Sequence, residues 1–294
     1  MSNTRFIAAL LGGTIISGFW GYGALAADVA GGKTDLPAVS AINGKLEAGG
    51  GYADLDGVDG DGVWYGAGSI SVPLGFSFGA QADFSVGNAF DETAVGGALH
   101  LFTRDPNSHL FGLIGGYSDV GNGNLAFVGG EAEFYLDNIS IETAAGYLNA
   151  DPDGGPSKDR FFAFGDLAFY ATDNFRLSVG ASSVANFESA NVQAEYLLDS
   201  MPVSFKLRGT IGEDGYAAAT AGVSFYFGGD DSTKSLIRRH REDDPRNRSL
   251  DIFGSGAAAF GPNNGAPVVD PECTPPEVFD PESGCVFIPP SPPA

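Results

Sequence analysis

The stretch Ser204–Phe227, SFKLRGTIGEDGYAAATAGVSFYF, changes character at every step. In its first half Phe205, Leu207 and Ile211 take turns with Ser204, Lys206, Arg208 and Thr210. In its second half Ala219, Ala221, Val223, Phe225 and Phe227 take turns with Thr220, Gly222, Ser224 and Tyr226. Alternation with period two is the mark of a strand with one apolar and one polar face. The acidic turn Gly212–Gly215 joins the halves into a hairpin.

The same pattern runs back to Ile42. Ile42, Leu46, Ala48 and Tyr52 oppose Asn43, Lys45 and Glu47; Phe76, Phe78, Ala80, Ala82 and Phe84 oppose Ser77, Gln81, Asp83 and Ser85. Val128, Ala132, Phe134 and Leu136 oppose Glu131, Glu133 and Tyr135; Ile139 and Ile141 face away from Ser140 and Glu142. The uniformly apolar run Leu110–Tyr117 leaves its facing open. No segment has the 3.6-residue period of a helix that could cover these apolar faces, so closure of the sheet on itself with lipid outside is the remaining solution. The chain is therefore expected to be all-β, a closed antiparallel up-and-down transmembrane barrel of about twelve strands, each of about ten residues. Short turns are expected at Pro73–Gly75, Arg104–Ser108, Asp137-Asn138, Thr172–Asn174 and Asp199–Pro202. Longer acidic loops are expected between them, at Asp54–Gly62, Gly87–Glu92, Asn149–Asp159 and Asn186–Ala190. Aromatic girdles are expected at both rims: Phe76, Phe102, Phe134, Phe175, Phe205 and Phe227 at one, Tyr52, Trp64, Phe84, Tyr117, Tyr147, Phe161 and Tyr216 at the other.

Thr220-Ala221-Gly222-Val223-Ser224-Phe225-Tyr226-Phe227 resembles the final-strand signal of Gram-negative outer-membrane β-barrels, polar-x-Gly-x-x-apolar-x-apolar, with Thr220, Gly222, Phe225 and Phe227 in the matching places. The resemblance covers roughly Ala41–Phe227. It implies outer-membrane lipid as the surroundings and the barrel assembly machinery as a partner. Here a long segment follows Phe227, whereas the terminal Phe ends the chain in many such proteins.

The flanks read differently. Residues 1–26 have the layout of a cleaved secretory signal: Arg5, the apolar run Phe6–Trp20, then Ala24-Leu25-Ala26 ahead of Ala27. A short periplasmic segment at 27–40 and the barrel at 41–228 follow. Residues 229–294 read as a mostly disordered periplasmic tail, rich in Gly, Ala and Pro beyond Asp251. Its first part, Lys234–Arg248, is a basic patch that would lie on anionic lipid or peptidoglycan, or stand as a solvated linker balanced by Glu242, Asp243 and Asp244. Cys273 and Cys285 are the only cysteines, and export to an oxidising compartment predicts a disulfide between them.

The formal net charge of −22 argues against nucleic acid as a partner. The inward faces are expected to place Lys45, Glu47, Asp83, Glu131, Glu133, Glu142, Asp166, Arg176, Glu195, Lys206 and Arg208 in the lumen. Such charges either pair across a narrow barrel and close it or line a wet passage. Since the acidic side chains outnumber the basic ones, an open pore would prefer cations. The leading function is thus a porin-like channel for small polar solutes or ions; the alternative is a closed structural or envelope-tethering barrel. An outer-membrane enzyme stands third, because the only histidines are His100, His109 and His240 and no nucleophile or cofactor motif accompanies them. The acidic stretch Asp54–Asp61 fails the spacing of a calcium loop, so neither a metal nor a cofactor is expected.

Overall fold

The structure, a computed structural model of the 294-residue chain, describes residues 35–121, 123–153, 157–231, 233–243, 245–252, 277–280 and 284–287. The export signal at 1–26 and Cys273, with the disulfide expected of it, lie outside the described residues.

Alternating side chains build the strands β1 (Asn43–Leu55), β2 (Val58–Pro73), β3 (Phe78–Ala89), β4 (Glu92–Asp105), β5 (His109–Val120) and β6 (Gly123–Leu136). They continue as β7 (Ile139–Pro152), β8 (Lys158–Thr172), β9 (Phe175–Val184), β10 (Phe187–Leu197), β11 (Val203–Gly212) and β12 (Ala217–Gly228). All pair antiparallel with their neighbours in sequence, and β12 closes the barrel on β1, from Asn43↔Gly228 to Asp54↔Ala217. The helix α1 (Leu236–Glu242) follows, and β13 (Glu277–Asp280) with β14 (Gly284–Phe287) forms a separate hairpin. No helix of the described residues is long and apolar enough to cross a membrane; the strands supply the span.

The outside of the barrel is apolar. Leu99 is 68% exposed and Leu113 65%, and Leu46, Ile70, Val128, Val179, Val192 and Leu207 face the same way. A greasy belt of this extent around a closed sheet is stable only against lipid. The run Leu110–Tyr117, ambiguous in sequence, resolves by parity: Leu110 and Ile114 point in, while Phe111, Leu113 and Tyr117 point out. Exposed aromatics mark the two rims. Phe76, Phe134, Phe205 and Phe227 ring the proximal rim, where β1 begins and β12 ends. Tyr52, Trp64, Phe84, Tyr117, Tyr147 and Phe161 ring the distal one.

Two aromatics assigned to the girdles face inward instead. Phe102 has the opposite parity from Leu99 and Leu101 and is buried against Val39, Leu110 and Tyr135. Its ring lies over its cross-strand partner Gly79, where a Cβ would come within 2.6 Å of it. Tyr216 packs against Phe187 and Phe90, with ring centroids 5.6 and 6.4 Å away.

The distal connections also differ from the sequence reading. Most of what reads as loop is strand: β1 and β2 run to Leu55 and from Val58, and β3 and β4 run to Ala89 and from Glu92. Phe90 and Asp91 (φ 53° and 62°) and Ala185 and Asn186 (φ 53° and 70°) make two-residue turns with both central residues left-handed. That geometry matches the twist of the flanking strands. Phe-Asp and Ala-Asn lack the glycine that normally announces such a turn, so sequence pattern alone misses them. The 16 residues of β2 and 15 of β8 exceed the number needed to cross a bilayer. The distal ends therefore stand clear of the membrane, where Asp54, Asp59, Asp119, Asp151 and Asp159 meet water.

Because Leu99 sits mid-strand on the lipid face, Leu99→Arg should destabilise the barrel by about 2–4 kcal/mol. Reversible unfolding in phospholipid vesicles checks this, with a loss below 1 kcal/mol arguing that the position does not face hydrocarbon.

Candidate functional site, the barrel lumen

The inward parity of the strands brings the expected charged residues into one interior. Lys45, Glu47, Asp83, Glu131, Glu133, Glu142, Asp166, Arg176 and Glu195 are buried; Lys206 and Arg208 are partly so. The strands bury Arg104 there too, with Nη1 3.2 Å from the Ala38 carbonyl. Thr220, Gly222, Phe225 and Phe227 lie on β12, paired with Gly51, Gly49, Leu46 and Gly44 of β1. Phe225 and Phe227 face outward, and Thr220 faces the lumen.

What fills the interior is the segment after the last strand. The sequence reading places 229–294 outside the barrel; residues 234–243 and 245–252 instead lie across its mouth and within it. The helix α1 spans the proximal mouth. Leu236 is fully buried among Ala168, Tyr170, Leu197 and Tyr226, and Ile237 N–H donates to Asp173 O at 3.0 Å in the β8–β9 turn. Arg241 donates to Ile139 O at 2.9 Å and lies over Tyr135 and Tyr170. Lys234 is enclosed by Asp230, Glu242 and Asp243 at 2.6, 3.3 and 2.7 Å. Most of the basic patch is thus turned into the protein and is not free to lie on lipid headgroups or peptidoglycan. Arg238 alone among its arginines keeps a half-exposed side chain.

Beyond α1 the chain enters the polar lumen alongside β3. Gln81 Nε2 donates to Pro245 O at 3.1 Å, Arg248 N–H donates to Asp83 Oδ2 at 2.8 Å, and the Ser249 and Ser85 hydroxyls meet at 2.6 Å. Asn247 Nδ2 donates to Gly68 O at 2.9 Å. Its arginines find the carboxylates on the wall. Arg246 contacts Asp166 and Asp251, each at 2.8 Å, with Glu142 3.8 Å away; Arg248 contacts Asp251 at 3.0 Å and covers the Phe164 ring. Ile252 belongs to an apolar cluster with Val120, Leu125, Leu148, Ala150, Phe162 and Val184.

The wall charges pair over longer reaches than neighbouring strands require. Glu195 stands beside Arg176 and Lys206 in the ladder, yet Arg176 turns to Glu142 at 2.9 Å, and Lys206 bonds Glu47 while staying 3.9 Å from Glu195. Glu195 accepts from Ser204 at 2.6 Å and Tyr226 at 2.8 Å. His100 is held between two carboxylates, Asp83 Oδ2 at 3.0 Å and Glu131 Oε1 at 2.9 Å. Between the inserted residues His240, Arg246, Asn247, Leu250 and Asp251 and the wall of β1, β2, β6, β7 and β9–β12 a cavity of about 160 Å³ remains. Lys45, Arg176, Lys206, Arg208 and Arg246 line it opposite Glu47, Glu133, Glu142, Glu195 and Asp251, so its charges balance. Glu131 lies off the cavity with His100, which leaves no acidic excess there to favour cations.

Two groups of the inserted segment have strongly displaced pKa values. Burial, then the cations Arg176 and Lys45, push His240 well below its ordinary value, and its Nδ1 lies 2.9 Å from Tyr170 Oη. Burial alone would raise Asp251, but Arg246, Arg248 and Arg208 around it hold it well below the usual carboxylate range. Both shifts favour the docked segment at neutral pH and oppose it in acid. A histidine kept neutral loses its contribution as pH falls below the free value of about 6.5, and a depressed carboxylate loses its own only at lower pH.

No protein-family model matches this sequence, and neither does any curated protein sequence. Solved structures similar to the chain include the KdgM porin, at 11% identity and a TM-score of 0.45 over 63% of this chain and 99% of that one. The NanC porin (10%, TM-score 0.47, 61% and 98%) is another. So is an outer-membrane channel from Pseudomonas putida F1 (8%, TM-score 0.47, 68% and 100%). At this level of likeness, function has to be read from the chain's own residues.

Arg246→Ala strips a buried contact from Asp166, Glu142 and Asp251 together and should weaken docking of the segment by about 3–5 kcal/mol. Faster proteolysis within 230–252, with the barrel band intact, is the expected readout. Lowering the pH from 7.5 to 5 should likewise speed that cleavage, and His240→Gln should flatten the dependence across that interval.

Proposed function

We propose that the protein is an outer-membrane barrel that passes small polar solutes or ions through a lumen narrowed by its own residues 234–252. The observation that carries this reading is the polar cavity beside the inserted segment, lined by Gln193, Thr210 and Thr220 as well as by balanced charges. The apolar exterior with its paired aromatic girdles supports a bilayer location, and the signal-like start and final-strand pattern support the outer membrane. The exposed Phe225 and Phe227 on the closing strand are where the assembly machinery would engage the chain.

A closed structural barrel is the second reading, favoured by the apolar packing of Ile252 across the lumen. A catalytic role has weaker support. Both ring nitrogens of His100 are taken by carboxylates. His109 meets the Ser108 hydroxyl at 2.8 Å, but Asp105 bonds that serine and not the imidazole, so no base is oriented there.

Single-channel recording in planar bilayers separates the two leading readings. The unaltered protein should show small conductance with near-equal passage of potassium and chloride, and the double variant Arg246→Ala/Arg248→Ala at least twofold larger conductance. Silence from both proteins would replace the channel with the closed barrel.

A further inference from the structure

The side chain of Asp251 sits in a cage of guanidinium groups. Its Oδ1 accepts from Arg246 Nη2 at 2.8 Å and lies 3.4 Å from Arg208 Nη1, and its Oδ2 accepts from Arg248 Nη1 at 3.0 Å. Two of these arginines belong to the inserted segment, and Arg208 belongs to β11. Arg246 also reaches Asp166 at 2.8 Å and Glu142 at 3.8 Å, and Arg248 lies 3.9 Å from Asp166. Arg208 differs. Among the described residues Asp251 is the one carboxylate paired with it, and its cross-strand neighbours Gln193 and Thr220 are uncharged. Its side chain is 31% exposed, and strand parity turns that part into the lumen, where Arg208 lines the cavity together with Gln193, Thr210 and Thr220.

Guanidinium groups pair with carboxylate and phosphate alike, because their planar fork of N–H donors matches two oxygens of either. The cage therefore has the chemistry of a receptor for a small oxyanion, filled at rest by a carboxylate of the chain itself. From this geometry we infer that a solute carboxylate or phosphate entering the cavity exchanges with Asp251 at Arg208, Arg246 and Arg248, so that the lumen holds an oxyanion site with a tethered competitor. Three features favour exchange. The Arg208 contact is the longest of the three. The cavity of about 160 Å³ beside it has room for several water molecules, and so for a small hydrated anion. Arg248 Nε is buried without a hydrogen-bond partner, a donor that the two oxygens of Asp251 do not use. A short tether holds its ligand at an effective concentration on the order of millimolar, so a solute must be comparably abundant to compete. Binding is then weak and reversible, as passage through a pore requires. As a statement about the solutes carried, this rests on the channel reading; the site itself does not.

Asp251→Ala removes the resident carboxylate and leaves its space. Isothermal titration of the full-length protein in detergent micelles, with sodium phosphate and sodium acetate each compared with sodium chloride at equal ionic strength, reads the site. The variant should bind phosphate or acetate about tenfold more tightly than the unaltered protein does, since the tethered competitor is gone. Adding Arg208→Gln should take about tenfold away again. Binding of one oxyanion and not the other supports the site and fixes its ligand. Absence of binding to the unaltered protein, equal affinity in the two proteins, or no preference over chloride overturns the inference. Should Asp251→Ala loosen the segment, cleavage within 230–252 supplies a second reading. Phosphate or acetate should then restore the slow cleavage of the unaltered protein, and failure of both to do so overturns the site. Silence of the unaltered protein in planar bilayers, beside oxyanion binding by both proteins in micelles, removes the channel and leaves the site standing.

Discussion

The interior of this barrel is governed by the need to neutralise carboxylates held out of bulk water. Asp83, Glu131, Glu142, Asp166, Glu195 and Glu47 all point inward because strand parity leaves them no other direction. Removing an ion from water costs several kcal/mol unless a partner and hydrogen bonds replace the lost solvation. The strands supply Lys45, Arg104, Arg176, Lys206, Arg208 and His100, but these are unevenly placed. Arg176 and Lys206 serve Glu142 and Glu47, which leaves Asp166 without a strand cation close by. The segment after β12 completes the set, with Arg246 on Asp166 and a backbone N–H of Arg248 on Asp83.

This one requirement links features that otherwise look unrelated. The basic patch in an acidic protein is the complement of the acidic lumen. Asp251, one helical turn from Arg248, keeps the inserted guanidinium groups from becoming an excess of positive charge. The same pairing levels the charge along the remaining cavity. Where the polar lumen gives way to Phe127, Phe162 and Leu148, the inserted chain changes from Arg and Asn to Leu250 and Ile252. The segment and the wall match in polarity along their length, as parts of one interior do.

The barrel itself was legible from the alternation of side chains, because a period of two assigns each residue to lipid or lumen without knowledge of any partner. Of the charged residues on the polar faces, Lys45, Glu47, Asp83, Glu131, Glu133, Glu142, Asp166, Arg176 and Glu195 are buried and Lys206 and Arg208 partly so. Errors arose where parity was set aside or turn chemistry was silent. Phe102 lies near a short turn, as a girdle aromatic would, but its parity is opposite to that of Leu99 and turns it inward. The distal hairpins at Phe90-Asp91 and Ala185-Asn186 adopt left-handed turns without glycine, so the strand extensions beyond the membrane looked like loops. The destination of Lys234–Arg248 was the largest omission. Its cation surplus beside the acid surplus of the strands was the available signal, and local composition could not say which anions would receive it.

The sequence by itself determined the closed sheet, the facing of nearly every strand residue and the presence of opposite charges in the two parts of the chain. These follow from local periodicity and from the intolerance of hydrocarbon for unpaired backbone groups. Tertiary structure alone decided that the barrel is filled, by which residues, and in which direction they run. Those outcomes depend on contacts such as Asp83 to Arg248 and Ser85 to Ser249, between groups separated by more than a hundred and sixty residues. Nothing in the local pattern of either partner encodes such a pairing. It emerges only when closure of the sheet brings the carboxylates into a space narrow enough that they need the tail to neutralise them.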